Sequence, residues 1–187
     1  WNLSRFAESL IPLIDKNEDT AIKIATEIID NFEKIYKNKW LNMMRDKLGL
    51  FGEDVNDKKL INNLLIWMEN NKADYTNTFC HLMNTKINHN KVYDDNNFIN
   101  WSNEWKQRML KNNNSKEKSI DLMKMSNPTV IPRNHKVEEA LNSVNEGNLE
   151  ILNKLLSVLK KPYSSQETIE DYQLPSTNNS YQTFCGT

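Results

Sequence analysis

The chain has 187 residues, with 24 basic and 25 acidic side chains and a formal net charge of −1. Balanced charge excludes a whole-chain field directed at nucleic acid or an anionic membrane, and no apolar run approaches the ~18 residues that would span a bilayer. Hydrophobic residues make up 38%, enough for one domain with a tail if they fall on one face of each element.

The apolar residues recur with a helical period. Leu3, Phe6, Ala7, Leu10, Ile11 and Ile14 follow i, i+3, i+4, i+7. This predicts a first helix with Asn2 as its N-cap and Pro12 as a late kink. The chain opens on Trp1 rather than Met and shows no signal-peptide pattern, so a fragment or processed form is expected. Residues 20–48 carry a longer pattern, from Ile22 through Phe32, Tyr36 and Trp40 to Leu48, and Gly49 is the expected stop. Asn56 or Asp57 can cap a third helix bearing Leu60, Ile61, Leu64, Leu65 and Met68. Asp74 can cap a fourth with Phe79, Leu82 and Met83 inward.

Asn84 to Asn97 reads as a long polar connection. A fifth helix carries Phe98, Trp101, Trp105 and Met109, and Ser115 caps a sixth that ends near Met125. In "SNPTVIPRNH", Pro128 and Pro132 bias the residues before them away from the helical region, predicting a rigid extended connector. A helix from about His135 to Glu146 stops at Gly147. The next, capped by Asn148 and ended by Pro162, folds back on it as a hairpin. From Tyr163 the period disappears. The reading is all-α: a helical region 1–126, a connector 127–134, a hairpin 135–161 and a C-terminal tail 162–187.

Candidate chemistry is sparse. "DKNEDTAIKIAT" places Asp15, Asn17 and Asp19 as in an EF-hand, but Thr20 stands where the turn needs Gly and Thr26 where a bidentate Glu is needed. A polar helix–helix loop with an Asp N-cap is preferred. Cys80, His81, His89, His135 and Cys185 lack metal-ligand spacing. Cys80 reads as a small core residue. The four glycines are scattered, so no phosphate-cradling loop is visible. The Trp101/Trp105 pair reads as packing. "NPTVIPRNH" offers a structural clasp from Asn127, Pro128, Pro132, Arg133 and Asn134, with Arg133 satisfying carbonyls or a carboxylate. The alternative is anion binding by Arg133.

Six blocks carry a resemblance: "WNLSRFAESLIPLID" (1–15), "YKNKWLNMMRDKLGL" (36–50), "LLIWMENNKADYTNTF" (64–79), "NPTVIPRNHKVEEAL" (127–141), "LLSVLKKPY" (155–163) and "YQTFCGT" (181–187). In this order, from the first residue to the last, the chain resembles the C-terminal part of the selenoprotein O, or YdiU, family. The resemblance implies the multi-helix C-terminal region of a protein-kinase-like fold, ending in an extended tail. It implies an enzyme that transfers AMP from ATP, with Mg or Mn, to Ser, Thr or Tyr hydroxyls of proteins. The family's catalytic and metal-binding residues lie before the first block, so no catalytic, cofactor or metal residue is carried onto this chain, which is expected to be inactive alone.

The implied partners are the upstream kinase-like lobe and the protein substrates, with no nucleic acid and no membrane. The implied compartment is cytoplasmic for a bacterial member and mitochondrial for a eukaryotic one. Cys185, third from the end, stands where the family places a cysteine or selenocysteine, and the resemblance implies a redox role. Its partner would lie outside this chain unless it is Cys80. Gly186 and Thr187 depart from the family's usual ending. The bland reading of Cys185 is an exposed thiol on a tail. A different class of function, a non-catalytic helical interaction module, fits the same helices.

Overall fold

A computed structural model describes residues 1–83, 91–111, 115–164 and 169–176. Among them there are helices and no strands, so the all-α expectation holds. By packing the chain forms two compact units, Trp1–Met44 and Arg45–Thr187, a division that falls inside the region 1–126.

The first unit contains α1 (Asn2–Ile14) and the body of α2 (Glu18–Lys47). Asn2 is the first helical residue rather than the cap; Trp1 takes the cap position and offers no side-chain acceptor. In the loop, Asp15 accepts the Asn17 amide at 2.8 Å and Asn17 accepts the Thr20 amide at 2.9 Å. The carboxamide of Asn17, not an Asp, therefore caps α2. Residues 20–47 fall in one helix.

The second unit is built from α3 (Asp57–Asn70), α4 (Tyr75–Leu82), α5 (Asn96–Leu110), α6 (Lys116–Ser126), α7 (Asn134–Asn145), α8 (Glu150–Leu159) and a short α9 (Glu170–Gln173). Helix starts follow expectation at Asp74 and Ser115, and Asp95, within the stretch read as a polar connection, caps α5 in the same way. Asp74, Asp95 and Ser115 accept amides of the first turns of α4, α5 and α6. At α3 the expectation fails: Asn56 occupies the cap position without a side-chain bond, and the Asp57 carboxylate is engaged elsewhere. Asn148 precedes α8 and accepts the Glu150 amide at 2.9 Å, while Leu149 takes the cap position.

The main core joins α3, α4, α5 and α6. Ile61, Leu64, Phe79 and Met123 are fully or almost fully buried. Trp101 and Trp105 stack with centroids 6.0 Å apart and planes 5° off parallel. Their indole N–H groups donate to the Leu60 and Leu48 carbonyls, both at 2.8 Å. Each large apolar face is thus buried without stranding its polar edge. Gly49 has φ +66°, and a Cβ there would lie 2.6 Å from the Ser119 carbonyl oxygen. Only glycine lets the chain pass under α6 at that point. Helices α7 and α8 pack on each other, and Val130, Val158 and Ile169 form a second, smaller core with Leu159 and Tyr172 beside it.

Two segments differ from their reading as unstructured. Within 84–97, Lys91–Asp94 forms a 3₁₀ turn that buries Tyr93, and His81 stacks on that ring at 3.9 Å. Within the tail, Ile169 and Gln173 are buried at either end of α9. One or two anchoring side chains hold such short elements, and they leave no periodic trace in sequence.

Candidate functional site

The connector Asn127–Arg133 is a heavily bonded extended segment of the second unit. Asn127, 1% exposed, donates its side-chain amide to the Lys47 and Met123 carbonyls, both at 2.8 Å. It closes α6 against the end of α2. The Pro128 carbonyl accepts from the Cys80 thiol at 3.6 Å. Thr129 binds the Pro162 carbonyl through its amide at 2.7 Å and its hydroxyl at 3.1 Å, and its own carbonyl accepts from Gln173 at 2.8 Å. The connector therefore ties α6, α9 and the segment after α8 into one body.

Arg133 sits where the connector meets α7. It grips Asp74 with both terminal nitrogens, Nη1 to Oδ2 at 2.6 Å and Nη2 to Oδ1 at 2.9 Å. Nη2 also donates to the Gln173 carbonyl at 2.8 Å. Asp74 meanwhile caps α4 through the Asn77 amide at 2.8 Å. One carboxylate serves two tasks, and the planar fork of arginine is the geometry that matches it. Of the five residues singled out from sequence, Asn127, Pro128 and Arg133 converge on these contacts. Pro132 is exposed, and Asn134, also exposed, is the first residue of α7. Asn127 Oδ1 and Arg133 Nε are buried without a partner among the described residues.

A second polar centre is not visible in the sequence. Asp57, 0% exposed, accepts Arg45 Nε at 2.7 Å and Arg108 Nε at 2.6 Å. Its Oδ2 also takes Arg108 Nη2 at 3.1 Å and the Asp54 amide at 2.9 Å. Burial pushes the Asp57 carboxyl up, but the hydrogen bonds from Arg108, Arg45 and the Asp54 amide outweigh it and hold the group below the usual carboxylate range. Arg108 spends its remaining donors on the Phe51 and Gly52 carbonyls at 3.3 and 3.1 Å. Beside this centre, Lys111 bonds Asp54 at 2.9 Å. That bond and the Asn56 amide lower the Asp54 carboxyl to about 2.

Lys47 forms a third feature. Its side chain is buried, and its ammonium lies 4.5 Å over the Phe79 ring and 5.3 Å over the Tyr75 ring. It donates to the Ser126 carbonyl at 3.4 Å. Burial pushes this ammonium down from its ordinary value, with Cys80 opposing. The Cys80 thiol is pushed up to about 11, chiefly by burial and then by Asp74. A thiol held protonated in this way is a packing group, not a nucleophile.

Cys185 and His89 lie outside the described residues. Among the described residues no three His, Cys, Asp or Glu side chains cluster as a metal site. The acidic groups with the best-defined geometry, Asp57 and Asp74, are already saturated by arginine. The described residues do not fit an ATP–metal complex.

The comparisons with known proteins place the chain. Residues 1–160 match the family described as protein adenylyltransferase SelO. The chain is 56% identical over 191 residues to a protein nucleotidyltransferase YdiU of Pelagibacter ubique (strain HTCC1062), covering 100% of this chain and 39% of that protein. It is 45% identical over 189 residues to the protein of the same name from Clostridium perfringens (strain SM101 / Type A), and 44% identical over 190 residues to that of Bacillus cereus (strain AH187), with the same two coverages. The chain thus spans about two fifths of the length of the curated relatives it matches. It belongs to the protein adenylyltransferase SelO family, a family of nucleotidyltransferases.

Proposed function

We propose that this chain is the C-terminal helical part of a protein adenylyltransferase that moves AMP from ATP, with Mg or Mn, onto Ser, Thr or Tyr hydroxyls of proteins. In this reading the catalytic and nucleotide-binding groups lie upstream of Trp1, in a kinase-like lobe of the same polypeptide. The observation that carries it is the surface of the first unit. Helix α1 has an apolar and a polar face and buries no residue. Phe6 is 61% and Leu13 82% exposed, and on α2 Ile28, Phe32, Ile35 and Tyr36 are exposed as well. Aromatic and aliphatic side chains this numerous do not stay in water on a finished monomer surface. The relatives have more than half their length outside the matched region, and the upstream lobe is the cover proposed here.

The test is AMP transfer. The full-length protein should label protein hydroxyls from radiolabelled ATP with Mg or Mn, and residues 1–187 alone should show no saturable ATP binding. Strong ATP binding by the isolated chain would overturn the placement; a full-length protein without transfer would overturn the activity. The same exposed face also suits a second reading, an interaction module with a separate partner. Removing residues 1–44 from the full-length protein separates the two. Transfer is lost under the first reading and persists under the second.

Cys185 is proposed, on the family resemblance, to form a disulfide with a cysteine of the upstream lobe under oxidation. Cys80 is poorly placed for that pairing: it is 0% exposed and bonded to the Pro128 carbonyl. Mass spectrometry of the oxidised full-length protein should find Cys185 linked to an upstream cysteine, and a Cys185 that stays free throughout would remove the redox role.

A further inference from the structure

We propose that the cavity between α4, α5 and α6 binds a small amphipathic carboxylate, a single apolar body with one anionic head. The cavity holds about 320 Å³, at the lower end of ligand pockets, which run from roughly 300 to 1,000 Å³. That volume suits a medium-chain acid rather than a two-chain lipid. Its walls are Phe98, Trp105, Met109 and Ile120, with Leu82 behind.

These walls are preformed. Phe98 and Trp105 are 3% and 4% exposed. Trp105 is pinned by its bond to the Leu48 carbonyl and by stacking on Trp101. Phe98 is held against Trp101 and Trp67, with centroids at 5.8 and 4.5 Å. Such a wall cannot easily collapse into the space it encloses.

The charge at the cavity has one sign. Its charged lining residues are Lys106 and Lys116, and no Asp or Glu lines it. Neither lysine forms an ion pair among the described residues. Glu117, adjacent to Lys116 in the chain and outside the lining, is exposed; its carboxyl is held below its usual range first by its own amide and the Ser115 hydroxyl and last by the Lys116 charge. Two ammonium groups beside an aromatic-lined cavity select an anion on an apolar stem. The apolar lining disfavours a bare inorganic anion, and the lysines disfavour a cation.

Isothermal titration of the full-length protein tests this, with decanoate, decan-1-ol, decyltrimethylammonium and inorganic phosphate as probes. Decanoate should bind saturably at one per chain and about tenfold more tightly than decan-1-ol, the scale of one partly screened charge pair. The cation and phosphate should give no saturable heat. The double variant Lys106→Gln/Lys116→Gln should weaken decanoate to the level of the alcohol and leave the alcohol unchanged. Ile120→Trp should fill the cavity and block both. Thermal unfolding of each variant within a few degrees of the parent secures these comparisons, because the lysines are exposed and their loss leaves the core intact. Decanoate that fails to bind, that binds the double variant or Ile120→Trp undiminished, or that is matched by phosphate or by the cation would overturn the site.

Discussion

Four arginines stand among 24 basic residues, and three of them, Arg45, Arg108 and Arg133, hold carboxylates within the second unit. In a chain that otherwise uses lysine, these positions need the rigid fork. Arg133→Lys should keep the charge but lose the two-point grip on Asp74 and the bond to Gln173, lowering stability by about 1–3 kcal/mol. A melting temperature unchanged from the parent would refute the role. Asp57→Asn is expected to cost more, about 3–5 kcal/mol, because it strands two buried guanidinium groups. The pH dependence follows from the sign of the shifts. Asp57 and Asp54 are both held below their unfolded values. Their stabilising contribution is therefore full above the ordinary aspartate range near pH 4 and is lost as the pH falls below it, for Asp54 toward about 2. Asp57→Asn should flatten that acid limb in a series of thermal melts; a limb as steep as the parent's would place the acid sensitivity elsewhere. From sequence alone Asp57 reads as a helix cap. Its partners lie 12 and 51 positions away, a pairing that only the folded chain reveals. Arg133 is legible because two prolines announce the rigid segment it ends, although the carboxylate it grips is not.

At the scale of elements, short-range chemistry is readable and long-range anchoring is not. Asp74 and Ser115 announce their helices because a cap bonds amides only a few positions on. Helix α9 shows no period, since four residues make a single turn and its place is set by Gln173 reaching Thr129 and by Ile169 entering the second core. Two glycines separate backbone conformation from packing. Gly147 has φ +82° and open space within 4 Å of where a Cβ would lie, whereas Gly49 has φ +66° with the Ser119 carbonyl oxygen 2.6 Å from that point. Gly147→Ala should cost about 1–2 kcal/mol, the strain of the left-handed conformation alone. Gly49→Ala should cost that and roughly 1–3 kcal/mol more, because backbone of α6 must move. Urea unfolding that ranks the two equally, or in reverse, would show that α6 does not bear on Gly49.

At the scale of the whole chain, the all-α class is legible because helical periodicity needs no partner to be seen. The apolar stripe of α1 is equally plain, but the same period describes a face covered from within and one left bare. In the structure Leu3 and Phe6 of that stripe are exposed, Ala7, Leu10, Ile11 and Ile14 are half-buried, and none is buried. Residues 1–187 expressed alone should therefore bind a hydrophobic dye strongly and self-associate, and deleting 1–44 should reduce both; a dye-silent monomer would favour a self-sufficient surface. Cys80 has a different bearing on experiments with this chain. Its sulfur is sealed in the interior, hydrogen-bonded to Pro128 and protonated at any working pH below about 11. Of the two cysteines in the chain, the folded protein therefore withholds this one from maleimides. The label that Cys80 gains in denaturant, with no mutation of the core, then doubles as a gauge of how intact the second unit is.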